Sequence, residues 1–153
     1  MKYIREIDYS HYNLSANNTR LMNVLVPNYF YHLEVGDFVG YYFDSNSLID
    51  DIIVEVFPNM ERIVLLSEQR LYLFSTETGN ITMALRLWAP EIQLIPISDF
   101  IIIITEREVY KIDIRNSIVH SLLSLSDTFI KYALEGNTLT VYTYDDKSIN
   151  MII

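Results

Sequence analysis

Leu71-Tyr72-Leu73-Phe74-Ser75, followed by Thr76-Glu77-Thr78-Gly79-Asn80 and then by Ile81 to Trp88, is the stretch on which the fold turns. It reads as a β-strand, a polar turn and a second strand. β-Branched and aromatic residues favour the pleated surface, and glycine takes the positive φ that such turns need. Two later segments share its core. Val109-Tyr110-Lys111-Ile112-Asp113 and Val141-Tyr142-Thr143-Tyr144-Asp145 repeat an aliphatic residue, Tyr, any residue, a large apolar residue, then Ser or Asp. The tyrosines lie 38 and 32 positions apart, a spacing that repeated β units show.

Working outward, short apolar runs alternate with two- to four-residue polar breaks from about Ile52 onward. This predicts strands near 62–67, 70–75, 80–87, 91–96, 99–105, 107–114, 117–124, 129–134, 138–144 and 148–153. The breaks at Glu68-Gln69, Glu77 to Asn80, Glu135 to Asn137 and Asp145 to Lys147 are predicted hairpin turns. Phe100 to Ile104 is the longest apolar run. An exposed strand of that kind invites aggregation, so it belongs in the middle of a sheet with both faces covered.

Residues 71–88 resemble the repeat of pyrroloquinoline-quinone-type β-propellers. That family shows an aliphatic-Tyr strand, an acidic or small turn residue, Thr-Gly, and a strand ending in Trp. Leu71-Tyr72, Thr78-Gly79 and Trp88 match it. The second copy keeps Val109-Tyr110 and Asp113, and the third keeps Val141-Tyr142 and Asp145, both without the Thr-Gly and the Trp. The resemblance implies blade-like antiparallel hairpins. It does not imply the quinone, since no ligand residue of that family can be placed here, and no cofactor is expected.

The N-terminal third is less regular. A strand is predicted over the first nine residues and another over Asp37 to Phe43. A short helix over Thr19 to Val26 is ended by Pro27. Ser47 to Val56 is ambiguous between a capped helix and a strand. The expected fold class is therefore mainly β: an antiparallel meander of about three propeller-blade-like units behind an irregular N-terminal part, all in one domain over 1–153. Three imperfect units leave sheet edges, so pairing with a second copy or another subunit is the structural alternative.

Composition narrows function. The 153 residues carry a net charge of −9, with no cysteine and 4 glycines. Gripping a phosphate backbone takes clustered Lys and Arg, so nucleic acid is not an expected partner. Disulfides, thiolate metal sites and cysteine nucleophiles are excluded. No apolar run approaches the roughly 20 residues that cross a bilayer, and the start, where Lys2, Arg5, Glu6 and Asp8 break up the apolar residues, lacks the uninterrupted apolar stretch of a secretory signal. A cytoplasmic protein is the expectation. His11, His32 and His120 show no metal-binding spacing, and His120 reads as structural. No nucleophile elbow or phosphate loop occurs. Asp44-Ser45-Asn46 with Asp50-Asp51 lacks the glycine and the twelfth-position Glu of a calcium loop. Asp145-Asp146 belongs to a hairpin turn. An enzyme is not expected.

Charge is unevenly spread. Between Arg20 and Arg62 no Lys or Arg occurs, and the window 21–61 carries −7 of the total. Tyr29, Phe30, Tyr31, Phe38, Tyr41, Tyr42, Phe43 and Phe57 lie in it too. Aromatics provide interface energy, and carboxylates steer a basic partner. Glu34, Asp37, Tyr41, Tyr42, Asp44, Asp50, Asp51 and Glu55 are the candidate partner-binding residues. The profile resembles that of small bacterial immunity proteins that neutralise nuclease toxins: compact, acidic and free of catalytic motifs. That likeness implies a basic protein partner, such as a toxin domain.

Overall fold

The computed structural model describes residues 2–14, 27–35, 39–67 and 69–153. The chain is mainly β, in four antiparallel sheets of propeller-like character. It divides into two compact units, Met1–Leu87 and Trp88–Ile153.

The first unit holds two sheets. Strands β1 (Lys2–Ile7), β2 (Tyr29–Val35) and β3 (Val39–Ser45) form the first, in that order. Strands β4 (Ile53–Phe57), β5 (Arg62–Ser67), β6 (Arg70–Ser75) and β7 (Ile81–Arg86) form the second as a simple meander. Period-two alternation decides which side chains meet. Tyr31 and Leu33 from β2, with Tyr41 and Phe43 from β3, share one face. They pack against Val54, Ile63, Leu65 and Phe74 from the second sheet in one apolar cluster. Buried hydroxyls tie the end of β3 to β5: Ser45 Oγ lies 2.7 Å from Ser67 Oγ, and the Ser47 N–H donates to Ser45 Oγ at 2.9 Å.

The second unit repeats the scheme. Strands β8 (Gln93–Ile97), β9 (Phe100–Ile104), β10 (Glu108–Asp113) and β11 (Ile118–Ser124) form a four-stranded meander. Strands β12 (Phe129–Glu135), β13 (Thr138–Thr143) and β14 (Ser148–Ile152) form a three-stranded one. Pro96 sits on β8, an edge strand, where its missing N–H costs no ladder bond. Ile101 to Ile104 are fully buried on β9, between β8 and β10, so the longest apolar run lies where its aggregation hazard is suppressed. Ile95, Ile102, Ile104 and Val109 meet Leu139 and Val141 in the second core.

The predicted turns are present. Gln69, Gly79, Gly136 and Asp146 have φ of 61°, 70°, 58° and 58°. The three repeated segments fall on β6, β10 and β13. Their aliphatic residues Leu71, Val109 and Val141 are fully buried. At the end of β6 the Thr78 N–H donates to Ser75 Oγ, and at the end of β10 the Asn116 N–H donates to Asp113 Oδ1, so the repeated Ser/Asp closes its turn in both. In the third copy Asp145 instead accepts from Thr143 Oγ1, Ser126 Oγ and Lys147 Nζ.

The N-terminal third is more regular than its sequence suggests, because β2 completes a sheet with β1 and β3. The Ser47–Val56 ambiguity divides into a 3-10 turn, Ile49–Asp51, and β4. Helix α1 covers Tyr9–Leu14. Asp8 starts it, its Oδ1 accepting from the His11 N–H at 2.7 Å and its carbonyl from the Tyr12 N–H. The helix expected over Thr19 to Val26 lies outside the described residues, as does the Asp37-Phe38 start of the expected second strand.

Candidate interaction surfaces

The structure separates the two halves of the acidic, aromatic window. Tyr41 and Tyr42, expected to meet a partner, are buried. Adjacent residues on β3 point to opposite faces, and both faces are covered. Tyr41 enters the core of the first unit and donates its hydroxyl to the Thr76 carbonyl at 3.0 Å. Tyr42 stacks on the His32 ring, centroids 4.6 Å apart and planes 14° apart. Tyr31 and Phe43 are wholly buried as well, and the Tyr31 hydroxyl donates to the Ser47 carbonyl at 2.7 Å. Burial, with Glu6, Tyr29 and Asp51 nearby, pushes the Tyr31 phenol up to about 12.

The carboxylates fare differently. Glu34 on β2 and Asp50 and Asp51 in the 3-10 turn are exposed, and Glu55 on β4 is half-buried. Asp44 pairs with Phe30 across β2 and β3 through its backbone. Asp37 lies outside the described residues. What the structure brings together is therefore a charged row on the outer face of the first sheet. Arg5, His32 and Tyr42 stand directly opposite one another across β1, β2 and β3. The Arg5 guanidinium lies 3.3 Å from His32 Nδ1, and Glu34 Oε1 lies 3.4 Å from the same nitrogen. Burial, then the Arg5 charge, lowers the His32 pKa; Glu34 works against them. The imidazole is thus held neutral, with Nδ1 accepting from Arg5. It is a structural link across three strands. Among the described residues no group of three or more His, Asp or Glu is placed to hold a metal ion. No helix among them is long and apolar enough to cross a membrane.

A second surface was not singled out by composition. Strand β12 is the second strand of its hairpin series, as β5 and β9 are of theirs. Each of those is flanked on its outer side by a first strand, β4 or β8, and is buried almost throughout. Among the described residues β12 pairs with β13 alone. Its partners Val141 and Leu139 point into the second core, so Tyr132 and Leu134 lie on that same apolar face. Yet Ile130, Tyr132 and Leu134 are 45%, 39% and 41% exposed. The opposite face is mostly polar, with Lys131, Glu135, Thr138, Thr140, Ser148 and Asn150 beside Ala133, Tyr142 and the exposed Ile152. Lys131 Nζ sits over the Tyr142 ring, 5.1 Å from its centroid. One signal for this strand was present in the sequence. FIKYALE alternates apolar with charged or small residues, whereas RIVLLS and FIIII do not.

No family model matches the chain, and no curated protein matches it either. Solved structures do. The computationally designed Ika4 protein aligns with a TM-score of 0.50 at 10% identity, over 89% of this chain and 91% of that one. The designed Ika8 protein aligns equally well over 89% of this chain but 46% of its own. The N-terminal domain of Nup159 aligns with a TM-score of 0.47 at 9% identity, over 64% of this chain. This chain spans about a third of that Nup159 structure, 32%. At 10% identity the likeness to the two designed proteins establishes the propeller-like fold and nothing further.

Proposed function

We propose that this chain is a non-enzymatic scaffold module that associates with a second copy of itself by adding strand to strand at β12. The observation that supports this is the apolar pair Tyr132 and Leu134, with Ile130 at the neighbouring bulge, left half-exposed on an edge that is unpaired among the described residues, where the two four-stranded sheets carry a further strand. An edge strand offers free N–H and C=O groups as a template for another strand. The sequence of β12 suits an antiparallel copy of itself. With Ala133 on the two-fold axis, Lys131 of each copy faces Glu135 of the other, and Tyr132 faces Leu134. Opposite charges meet on the polar face and apolar side chains on the other, which is the self-complementarity that an isologous interface requires. Sedimentation equilibrium from micromolar to near-millimolar concentration tests it. A dimer is expected, lost in Tyr132→Lys while the circular dichroism stays native. A strict monomer, or an unchanged dimer in that variant, removes the proposal.

A second reading keeps a basic protein partner, such as a toxin domain, and rests on the exposure of Glu34, Asp50 and Asp51. It expects binding that weakens steeply with salt and is lost in Asp50→Lys with Asp51→Lys. Unchanged affinity in that double variant would exclude it.

A further inference from the structure

Arg70 on β6 and Arg86 on β7 are direct partners in the antiparallel ladder. Like charges in that position repel. In a chain with 20 acidic and 11 basic residues, a pair of guanidiniums facing each other is not a consequence of composition. The next pair on the same face is Tyr72 with Ala84. With Leu85 these residues line an open pocket of about 300 Å3, the lower end of the range for small-molecule sites.

The chemistry of the lining is divided. Each guanidinium carries a planar fork of donors that matches a carboxylate or phosphate edge. Tyr72 gives an aromatic wall on the face of the two arginines, while Leu85, paired with Leu71, turns its side chain to the other face and lines the pocket from the strand between Ala84 and Arg86. Ala84 leaves open the space that a larger residue opposite Tyr72 would fill. An oxyanion held by both arginines would sit at the charged end of the pocket, and an apolar body attached to it would lie along Tyr72 and Ala84.

We infer that this pocket binds a small organic anion, its carboxylate or phosphate head held by Arg70 and Arg86 and its apolar body packed on Tyr72 and Ala84. The inference is independent of self-association at β12. Titration calorimetry with phenyl phosphate, benzoate and inorganic phosphate tests it on the whole chain. One equivalent of phenyl phosphate or benzoate should bind, and the tighter of the two identifies the head group. Inorganic phosphate should bind about tenfold more weakly or worse, for want of the apolar contact. Arg86→Gln should weaken binding at least about tenfold, since a hydrogen bond to a charged group contributes about 1.5–3 kcal/mol. Ala84→Leu should weaken it by filling the pocket without touching the charge. Arg115→Gln, an exposed arginine elsewhere, should leave it unchanged. No saturable binding of either organic anion would overturn the inference. So would equal affinity for inorganic phosphate, or insensitivity to both Arg86→Gln and Ala84→Leu.

Discussion

Reversing the charge of Lys131 puts the β12 register to a quantitative test. In an antiparallel pair centred on Ala133, Lys131 and Glu135 meet twice, once on each side of the two-fold axis. A cross-strand pair of opposite charge contributes about 0.2–1 kcal/mol. Both side chains are exposed, so the middle of that range, about 0.5 kcal/mol, is the appropriate figure. Lys131→Glu turns two attractions into two repulsions of similar size, a swing of about 2 kcal/mol, or a dimer roughly 30-fold weaker. Glu135→Lys should do the same. The double variant restores both pairs with reversed polarity, and its dimer should return to within a few-fold of the original. Without coupling, the two single effects would multiply to roughly 1000-fold. Sedimentation equilibrium at about 0.05 M and 1 M salt reads both effects, and the single-variant losses should shrink at high salt as screening shortens to about 3 Å. Lys131 also sits over the Tyr142 ring of its own chain, so urea unfolding of each variant separates a loss of fold from a loss of pairing. A double variant as weak as the product of the singles would refute the register, and unaffected singles would refute the interface.

Five further outcomes follow from the packing. Ile102→Ala, in the middle of β9 and fully buried, should destabilise the second unit by about 3 kcal/mol, measured as lost amide protection in β8 to β11. Ile152→Ala, at a side chain 87% exposed, should cost less than about 0.5 kcal/mol by the same measurement. Gly136→Ala meets nothing within 4 Å but must hold φ +58°, so its cost, about 1–2 kcal/mol in urea unfolding, is backbone strain alone. The Tyr31 phenol, raised from 10.0 to about 12, adds stability that is complete below pH 10 and lost as the pH climbs through 12. A Tyr31→Phe chain should show a flatter alkaline limb. His32, lowered from 6.5, adds stability present above pH 6.5 and lost as the pH falls through its folded value. Its imidazole proton shift should titrate below 6.5, and a normal midpoint would contradict the Arg5 contact.

Much of the strand pattern can be read from residue types, because each break carries its own chemistry. β5 and β6 begin and end as the Ser, Glu, Gln and Arg punctuation predicts, and Gly79 and Gly136 mark turns that do need positive φ. β2 was missed because Tyr29 to Val35 mixes aromatics, His and Glu without alternation that one-sided burial would impose. Its two faces are both covered, one by apolar packing and the other by Arg5, His32 and Tyr42. The same double coverage misleads at β3. Aromatics next to carboxylates look like an interface in one dimension. Only pairing with β2 fixes which ring enters which layer, and the register Leu33 with Tyr41 and His32 with Tyr42 leaves neither ring outside. Arg70 opposite Arg86 was likewise invisible, since the two are 16 positions apart and meet only through the β6–β7 register.

The two faces of the last sheet decide how anything more could join it. In β5 and β9, neighbouring residues are buried whichever way they point, so those strands are covered on both faces. A further layer stacked on the sheet of β12, β13 and β14 would demand the same of its outer face. That face presents Lys131, Glu135, Thr138, Thr140, Ser148 and Asn150 beside Ala133, Tyr142 and Ile152, and burying its two charges and four hydrogen-bonding groups against apolar side chains would cost several kcal/mol without compensation. The inner face is different: Tyr132 and Leu134 continue the apolar surface of Val141 and Leu139 up to the edge, and there the backbone has no strand partner among the described residues. Addition along the edge satisfies both the apolar row and the backbone while leaving the charges in water. Stacking on the outer face would satisfy neither, which supports the proposal that a partner of this sheet enters as a strand.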